Sequence, residues 1–517
     1  MKKSILKNIL APSFIIILSL FVFGCGKKTT PDTVVTPTVI PTVTPAPTNT
    51  ASPTATPAPL PVTETREADI FAINDLHGKL KDSNTQPGVD ELTTYLQVQQ
   101  MISDGFLVLS SGDMWQGSSE SNQTKGAIIT EWMNEVGFAS MTLGNHEFDW
   151  GTSVAKANSE KADFPFLAIN IFDKDTKKRV DWCDSSVLVE QNGITFGIIG
   201  AIGDCYDSIS GDKVKDIYFV TGSELTALVK QEATNLRALG ADFIIYSIHD
   251  GYGRNSSGVE HIDSSALSPY YDIELSKGYI DLSFEAHTHR SYVMTDRYGV
   301  YHIQTGAENS TGIAHVHVAP DESGKLTVTE AEHIVRSTII SNPPSKLVEN
   351  LLDKYADQIG DLTKVIGHND KRMDSDDLRQ LCADLYFDLA MEHWGDKYDI
   401  ALAGGFFSCR TPYYLPAGDV TYEQLQSLFP FDNEIVLCST TGIHLNNNFF
   451  ATRNDNYFIT YGDYGQSVLD NLNPNGTYYL VTDTYTSQYA PNNLTVVEEY
   501  DKTTFARDLL AEYYRNN

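Results

Sequence analysis

Five short apolar runs of this sequence end in the same way, and that feature limits the possible folds most strongly. Each run is rich in β-branched or aromatic residues, and each leads into a turn that carries Asp, Asn or His. The runs with their turns are Asp69–Ile73 with Asn74–Gly78, Phe106–Leu109 with Ser111–Asp113, Ala139–Leu143 with Gly144–Asp149, Phe243–Ser247 with His249–Gly251, and Ile280–Phe284 with Glu285–His289. In open α/β sheets, ligands gather beyond the carboxyl ends of the strands. The pattern therefore predicts an α/β fold with one composite site.

The side chains of these turns form a set that is typical of a metal site. The set comprises four histidines, two aspartates and one asparagine: Asp75, His77, Asp113, Asn145, His249, His287 and His289. Seven donors are too many for one tetrahedral ion, but they suit two neighbouring cations that share one carboxylate. Mixed imidazole and carboxylate ligands favour Mn, Zn, Fe or Co over Ca or Mg. The sequence therefore predicts two divalent metal ions and leaves their identity open.

The order of these motifs resembles the calcineurin-like metallophosphoesterase superfamily, and within it the 5'-nucleotidase and 2',3'-cyclic phosphodiesterase family. The pattern D-x-H, G-D, G-N-H-[DE], H and G-H-x-H is met by Asp75-x-His77, Gly112-Asp113, Gly144-Asn145-His146-Glu147, His249 and His287-x-His289. The resemblance implies an N-terminal four-layer α/β/β/α sandwich and a smaller C-terminal α+β domain. One departure is Glu285-Ala286, which stands where the family has glycine before the His-x-His pair. A larger residue there would shift the loop, or Glu285 would add a carboxylate behind the ligands.

The resemblance also implies a role for each side chain. One metal would be held by Asp75, His77 and His289, and the other by Asn145, His249 and His287. Asp113 would bridge the two metals. In the intact G-N-H-E-F-D signature, Asp149 would orient His146, which faces the phosphate and binds no metal.

The chemistry of phosphate esters supports these roles. These esters hydrolyse very slowly in water, so the transition state must be strongly stabilised. Two metals can clamp the phosphoryl oxygens, and a hydroxide formed from the water between them can attack in line. We expect His146 to stabilise the developing charge and to protonate the leaving oxygen.

The resemblance continues more faintly to the C-terminus. Pro343-Pro344 precede a predicted connecting helix, Ser345–Asp361. In the family, the second domain grips a nucleoside with arginines and two aromatic rings. By position, the substrate-binding candidates here are Arg372, Arg379, Arg410, Phe431 and Tyr485. Ordinary core packing is the alternative reading of Phe431 and Tyr485.

The N-terminus has the composition of a targeting segment. Lysines precede the apolar stretch Ile9–Phe23, and Gly24-Cys25 follows in a sequence that resembles the lipobox of bacterial lipoproteins. We expect a signal peptide at 1–24 and lipidation of Cys25; an uncleaved signal anchor is the alternative. A Thr/Pro-rich linker would cover 25–66, the catalytic domain 67–340, a connecting helix 341–362 and the substrate-binding domain 363–517. These segments predict a protein anchored to the outer face of the cell membrane.

Charge and cysteine content limit the partners. The formal net charge of −31 argues against nucleic-acid polymers and against anionic membrane surfaces, so the membrane is expected only through the lipid. We expect a monomer that binds a small phosphate ester. Cys183 and Cys205 flank a strand-like segment and are candidates for a disulfide. His315 and His317 alternate along one strand and are interpreted as strand packing.

Three functions are therefore compared. The first is nucleotide hydrolysis of the 5'-nucleotidase, cyclic-nucleotide phosphodiesterase or UDP-sugar hydrolase type. The second keeps the two-metal chemistry on a non-nucleotide phosphomonoester or diphosphate. It is suggested by the altered turn Phe406–Arg410 and by Gln488–Asn493, which replaces the family's G-G-D-G loop. The third is an inactive surface binding protein; its expected sign, a missing ligand, is not found in the sequence.

Overall fold

The computed structural model describes residues 66–81, 88–252, 261–262, 273–307, 310–410, 412–450, 457–489 and 493–517. The predicted signal peptide, Cys25 and almost all of the linker lie outside these residues, as does the middle of the segment Gln488–Asn493. Within the described ranges, no helix has the length and apolar character needed to cross a bilayer.

Two large sheets form the N-terminal part of the fold. In chain order the strands are β1 (Ala68–Ile73), β2 (Phe106–Ser110), β3 (Ser140–Thr142), β4 (Phe166–Leu167), β5 (Ile171–Asp173), β6 (Ser186–Gln191), β7 (Ile194–Ile202), β8 (Ile217–Phe219), β9 (Phe243–His249), β10 (His261–Ile262), β11 (Leu282–Phe284), β12 (Tyr292–Asp296), β13 (Tyr301–Gln304), β14 (Ile313–Pro320) and β15 (Leu326–Ile334). The first sheet has the order β15-β14-β1-β2-β3-β4, and the second has the order β10-β12-β13-β11-β9-β7-β6. Strands β5 and β8 pair separately with each other.

Helices accompany these sheets. They are α1 (Val89–Ile102), α2 (Ser119–Thr124), α3 (Ala127–Val136), α4 (Thr152–Ser159), α5 (Gly222–Ala238), α6 (Arg336–Ile339) and α7 (Lys346–Ile359). Short 3₁₀ helices cover His146–Phe148 and Asp204–Ser208. The predicted connecting helix is α7, and the Ser345 hydroxyl caps it by accepting a hydrogen bond from the amide of Leu347.

Three buried clusters show how these elements are layered. Side chains of β1 and β2 such as Ile70 and Leu109 pack against Phe196 and Phe284 of the second sheet, so the two sheets meet face to face. Helices α1 and α3 cover the outer face of the first sheet, and α5 covers the outer face of the second. The layers are thus α/β/β/α, which confirms the predicted sandwich.

Parallel pairing in both sheets explains where the site lies. Strand β1 pairs parallel with β2 and β2 with β3, while β7, β9 and β11 are parallel in the second sheet. These strands are buried along nearly their whole length, which is typical of strands covered on both faces. Their carboxyl ends open at one edge of the sandwich, where the five predicted turns begin.

The C-terminal part contains nine described strands, of which five form one sheet and four form two separate pairs. Its strands are β16 (Val365–Asn369), β17 (Met373–Asp374), β18 (Ile400–Gly405), β19 (Tyr414–Leu415), β20 (Gly418–Thr421), β21 (Ile435–Thr441), β22 (Phe458–Thr460), β23 (Thr477–Asp483) and β24 (Thr495–Glu499). Its helices are α8 (Ser375–Trp394), α9 (Tyr422–Leu428), α10 (Gly442–Leu445), α11 (Asp463–Asp470), α12 (Thr484–Tyr489) and α13 (Ala506–Asn516). The five-stranded sheet has the order β22-β18-β23-β21-β24, and the separate pairs are β16 with β20 and β17 with β19. Helices α8 and α13 pack on one face, and α10 and α11 pack on the other, which confirms the α+β domain.

The disulfide considered for Cys183 and Cys205 is corrected by the structure, because both cysteines are free and buried. The Cys183 thiol faces the carbonyl of Ala168 at 3.8 Å, and the Cys205 thiol donates to the carbonyl of His249 at 2.9 Å. The two thiols therefore point to different strands.

Candidate metal centre and the adjoining cavity

The turn after β1 and the turn after β11 meet at the edge of the sandwich. Asp75, His77 and His289 present donor atoms that lie within 4.8 Å of one another. His77 Nε2 is 3.2 Å from His289 Nε2, and His289 Nε2 is 3.3 Å from Asp75 Oδ1. Asp75 is fully buried, and its carboxylate also accepts the backbone amide of His287 at 3.0 Å. These three side chains could hold one cation.

A second group of donors adjoins the first. His249 Nε2 lies 3.0 Å from Asp113 Oδ2, and His287 Nδ1 lies 3.0 Å from Asn145 Oδ1. The rings of His249 and His287 are 5.5 Å apart. Asp75, Asp113 and His249 also have donor atoms within 4.8 Å of one another, so the two groups are continuous. The sequence-predicted donors are therefore neighbours in space, and their assignment to individual metals remains a prediction.

The backbone of this region is strained in a way that is typical of functional sites. Ten described residues other than glycine have a positive φ, and five of them are Asp75, His77, Asp113, His287 and His289. Glycine is needed where the turns approach each other, because a Cβ on Gly144 would lie 2.3 Å from Asp113 Oδ1. The surrounding structure thus holds the donors in place at a cost in local conformational energy.

Backbone carbonyls fix the imidazole tautomers. His77 Nδ1 lies 2.8 Å from the carbonyl of Gln116, and His249 Nδ1 lies 2.7 Å from the carbonyl of Ser111. A proton on Nδ1 leaves the lone pair on Nε2 of each ring available to bind a metal ion. Nε2 of His249 is buried and makes no hydrogen bond within the described residues, although a carboxylate oxygen is close by. A nitrogen lone pair that faces a carboxylate in this way fits two ligands of one cation.

Burial and neighbouring charges separate the pKa values of these groups. Burial lowers the pKa of His77 to about 3 and that of His287 to about 4, each with help from a neighbouring histidine. These two rings are therefore neutral at pH 7, as metal ligands must be. Burial opposes ionisation of Asp75, but the Coulombic attraction of His289 outweighs it and lowers the pKa of the carboxyl to about 2. Burial disfavours the charged ring of His249, but the attraction of Asp113 outweighs burial and raises the pKa of the ring to about 10. A cation bound there would displace this proton, and carboxylate with neutral imidazole suits a divalent transition metal.

His146 and Asp149 form a pair beside these donors. His146 Nδ1 lies 2.8 Å from Asp149 Oδ2, and the backbone amide of His146 donates to Asp113 Oδ1 at 2.8 Å. Burial disfavours the charged ring, but the attraction of Asp149 and Asp113 outweighs burial and raises the pKa of His146 to about 9. The ring is therefore cationic at neutral pH and can donate a proton.

Glu147 has a structural role that sequence reasoning missed. Its buried carboxylate accepts hydrogen bonds from the amides of Asp113 at 2.9 Å, Met114 at 2.9 Å and Gly144 at 2.7 Å. It therefore ties the turn after β2 to the turn after β3. Its place inside the G-N-H-E-F-D signature was the available signal, but the three amides it binds could not be read from the sequence.

A cavity of about 260 Å³ adjoins the donors and is lined by both parts of the fold. Asp113, Asn145, His146, Asp149, His287 and His289 form one side, and Arg410, Phe431 and Tyr485 form the other. The ring of Phe431 stacks on His146 with centroids 5.4 Å apart, and the Arg410 guanidinium lies over the Phe431 ring at 4.8 Å. Phe431 and Tyr485 are only half-buried, so they are wall residues of a cavity and not core.

The other two arginine candidates lie elsewhere. Arg372 is exposed, pairs with Asp374 at 2.8 Å and stacks on the ring of Tyr414. Arg379 donates to the carbonyl of Phe406 at 2.8 Å, and the Phe406 ring in turn lies edge-on to Tyr485 of the cavity wall. Neither belongs to the described lining of the cavity, and a role for either in substrate binding stays a prediction.

Polar side chains from several loops complete the lining and were not predicted: Ser208, Ser210, Lys213, Ser408, Asp432, Asn433, Thr484 and Gln488. Lys213 pairs with Glu434 at 2.6 Å, and Gln488 donates to Ser210 at 2.9 Å, so these contacts join the two parts of the fold. No pattern in the sequence brings these loops together.

Comparison with known proteins identifies the domain that carries the donors. A sequence profile of the calcineurin-like phosphoesterases matches residues 68–291. Protein UshA of Yersinia enterocolitica is 24% identical over 423 residues, which are 73% of this chain and 75% of that protein. A 5'-nucleotidase of Vibrio cholerae is 28% identical over 247 residues, which are 45% of this chain and 42% of that protein.

Solved structures share the fold over most of the chain. A 5'-nucleotidase precursor of Thermus thermophilus has a TM-score of 0.65 at 17% identity, and the match covers 87% of this chain and 96% of that one. Sulfate thiohydrolase SoxB of Thermus thermophilus has a TM-score of 0.61 at 16% identity and covers 89% of this chain and 95% of that one. At these identities the likeness concerns the fold and not the substrate.

Proposed function

We propose that this chain, a phosphoester hydrolase that belongs to the calcineurin-like phosphoesterases through residues 68–291, hydrolyses nucleotides with the help of two divalent metal ions. One observation carries the proposal. Four of the metal-type donors and His146 share a cavity with Arg410, Phe431 and Tyr485 of the second domain. A phosphate beside the donors would leave its organic group facing two aromatic rings and a guanidinium, which are the groups that bind a flat base and an anion.

The residues divide the chemistry between them. Asp75, His77 and His289 would hold one ion, Asn145, His249 and His287 the other, and Asp113 would bridge. Bound ions of this kind polarise phosphoryl oxygens and lower the pKa of water. His146, held by Asp149 through Nδ1, keeps Nε2 as the nitrogen that donates a proton to the leaving oxygen.

A non-nucleotide phosphate ester is the second candidate, and it too has support. The turn Phe406–Arg410 is bulkier than the corresponding turn in the family it resembles. The ring centroid of Phe406 lies 4.2 Å from that of Tyr457 and 5.9 Å from that of Tyr485, so this turn adjoins the wall where a base would lie. Structures of this fold also include a sulfate thiohydrolase, so the fold alone does not choose the substrate.

We also propose that the enzyme works outside the cytoplasm as a lipoprotein. The support is the sequence up to Cys25 and the Thr/Pro-rich linker that follows it. Radiolabelled palmitate incorporation that disappears in Cys25→Ser would test the anchor. Incorporation that persists in the variant would contradict it.

Phosphate release from a panel of esters tests the function. The full chain is assayed with AMP, 3'-AMP, 2',3'-cyclic AMP, ADP, UDP-glucose and an aryl phosphate, each with Mn, Zn, Co or chelator. We expect chelator-sensitive turnover that favours one nucleotide class over the aryl phosphate. Turnover of the aryl phosphate alone would reject nucleotides and keep the metal chemistry, and turnover that chelator does not affect would reject the metal proposal.

A further inference from the structure

A chain of buried polar side chains lies behind the loop that carries His287 and His289. It starts at Glu285, whose carboxylate is almost fully buried. One carboxylate oxygen lies 2.6 Å from His302 Nδ1, and the other accepts a hydrogen bond from the hydroxyl of Tyr292. Glu285 is therefore not one of the metal-type donors, because both of its carboxylate oxygens are engaged on the far side of the loop.

The hydrogen bonds continue from Tyr292 to the loop itself. The Tyr292 hydroxyl accepts from Gln304 Nε2 at 2.9 Å and from the amide of Tyr252 at 3.2 Å. Gln304, which is fully buried, then accepts at Oε1 from the amide of Arg290 at 3.1 Å and from the hydroxyl of Thr288 at 3.0 Å. Thr288 stands between His287 and His289 in the sequence, so this series of hydrogen bonds ends on the loop that carries the two histidines.

At the other end of this series of hydrogen bonds, an imidazole pairs with the buried carboxylate of Glu285. His302 lies between Glu285 and Asp296, with Nε2 at 3.5 Å from Asp296 Oδ2. Burial disfavours the charged imidazole, but the two carboxylates outweigh burial and raise the pKa of His302 to about 9. The carboxylate of Glu285 is thus paired inside the protein, which a buried charge requires.

The close packing around Gln304 leaves the loop little freedom. A Cβ on Gly251 would lie 2.1 Å from Gln304 Nε2 and 2.8 Å from the carbonyl of Ala286. His287 and His289 both have positive φ, a conformation that persists only where surrounding contacts enforce it. Asp75 accepts the amide of His287 on one side of the loop, and the Gln304 contacts at Thr288 and Arg290 hold it on the other side.

We propose that Glu285, Tyr292 and Gln304 are positioning residues that hold the His287–His289 loop in its metal-binding conformation. The inference rests on the proposed function, because it takes these two histidines as metal ligands. It assigns the carboxylate at position 285, which the family pattern lacks, to orienting the loop from behind. Removing the Tyr292 hydroxyl breaks the series of hydrogen bonds between Glu285 and Gln304 while keeping the aromatic ring.

The test compares Tyr292→Phe with Tyr246→Phe. Tyr246 is fully buried in the same sheet, and its hydroxyl has no hydrogen-bond partner among the described residues, so this variant is a matched control. Zn²⁺ or Mn²⁺ affinity is measured by competition with a chromophoric chelator. We expect Tyr292→Phe to weaken the affinity about 10-fold, as loss of a supporting partner typically does, and Tyr246→Phe to leave it unchanged.

Amide hydrogen exchange of the metal-free protein gives a readout independent of metal. We expect a peptide that contains Arg290 to exchange faster in Tyr292→Phe than in the wild type, at a thermal midpoint similar to that of the control. Glu285→Gln, which can still hydrogen bond to Tyr292, should retain more metal affinity than Glu285→Ala.

The outcomes separate the two proposals. If the wild type binds no metal, the proposed function fails, and amide exchange still decides whether the loop is positioned as inferred. If Tyr292→Phe matches Tyr246→Phe in both metal affinity and amide exchange, the positioning role is overturned. Equal metal loss in Glu285→Gln and Glu285→Ala would remove Glu285 from the positioning set.

Discussion

At the scale of single residues, His146 has the carboxylate partner that keeps an imidazole cationic and able to donate a proton. Its Nδ1 is engaged by Asp149, and its ring stacks on Phe431. We expect His146→Gln to lower kcat/KM on every substrate by about 10²–10⁴-fold, because a positioned acid contributes that much. Phosphate release and metal analysis of the same samples check this. His393→Gln, in α8, is the control, and loss of bound metal in His146→Gln would mean that the residue is a ligand.

Phe431 permits a second prediction about substrate choice. If its ring stacks on a base, Phe431→Leu should raise KM for a nucleotide about 2- to 10-fold. An aromatic pair contributes about 0.5–1.5 kcal/mol in addition to the free energy of the surface area that it buries. KM for an aryl phosphate should move less. Phe450→Leu, a half-buried ring in the π-helix Asn446–Phe450, is the control. An equal rise for both substrates would contradict base stacking.

At the scale of secondary-structure elements, Glu147 links the ends of β2 and β3. Its carboxylate accepts three backbone amides, and the amide group of glutamine would turn a donor towards at least one of them. We therefore expect Glu147→Gln to reduce the free energy of unfolding by about 1–3 kcal/mol. Urea unfolding of the metal-free protein measures the change, with the exposed Glu135→Gln as the control. Equal midpoints in the two variants would show that the turns do not depend on this carboxylate.

The pairing of β1 with β14 should depend on pH. Asp69 accepts from His315 at 2.9 Å and from His317 at 2.8 Å. Burial of Asp69 would raise its pKa, but these hydrogen bonds outweigh burial and hold that pKa well below its usual range. Burial of His315 would lower its pKa, but the interaction with Asp69 outweighs burial and raises the pKa of His315. The Asp69 contribution is therefore lost as pH falls below about 4, and the His315 contribution is lost as pH rises above about 6.5.

Asp69→Asn tests this pH dependence. At pH 5.5 we expect a loss of about 1–2 kcal/mol in the free energy of unfolding, with allowance for partial exposure. The loss should be smaller at pH 8.5, where His315 is losing its charge. Urea titrations at both pH values, with the exposed Asp321→Asn as control, measure it. A loss that grows from pH 5.5 to pH 8.5 would reverse the assigned sign.

At the scale of the whole molecule, metal should act as a stabilising ligand. A ligand that binds only the folded state stabilises it by about 2.7 kcal/mol at 100 times its dissociation constant. We expect the thermal midpoint to fall on addition of chelator and to recover with Mn, Zn or Co. The fall should be smaller in His289→Ala, which lacks one proposed ligand, than in His333→Ala, which keeps all of them. A midpoint that chelator does not change would argue against a metal in the resting protein.

The sequence predicted the strand ends because they follow a local pattern, whereas the four layers were implied by the family resemblance. Buried runs that stop at Asp, Asn or His identify β1, β2, β3, β9 and β11, and parallel pairing then brings their turns together. Contacts that depend on three-dimensional approach were not predictable. The partners of Glu147 and the place of Lys213 in the cavity join segments that share no pattern, and the separate orientation of the Cys183 and Cys205 thiols could not be seen from their spacing.

The loop that carries Phe431 accepts hydrogen bonds from the N-terminal part of the fold and from α13. Gln116 and Asn122 of the N-terminal part donate to the carbonyl of Pro430 at 2.6 and 2.8 Å, and Trp150 donates to Asp432 at 2.9 Å. From the other side, the guanidinium of Arg507 in α13 donates to the carbonyl of Phe431 at 3.0 Å and pairs with Asp432.

Arg507 lies in α13, so the ring that rests on His146 is anchored by a helix 76 residues further along the chain. A chain stopped or trimmed before Ala506 would keep every metal-type donor but lose this anchor. Selectivity for the organic half of a substrate would then depend on the docking of α13, while reactivity towards the phosphate would not.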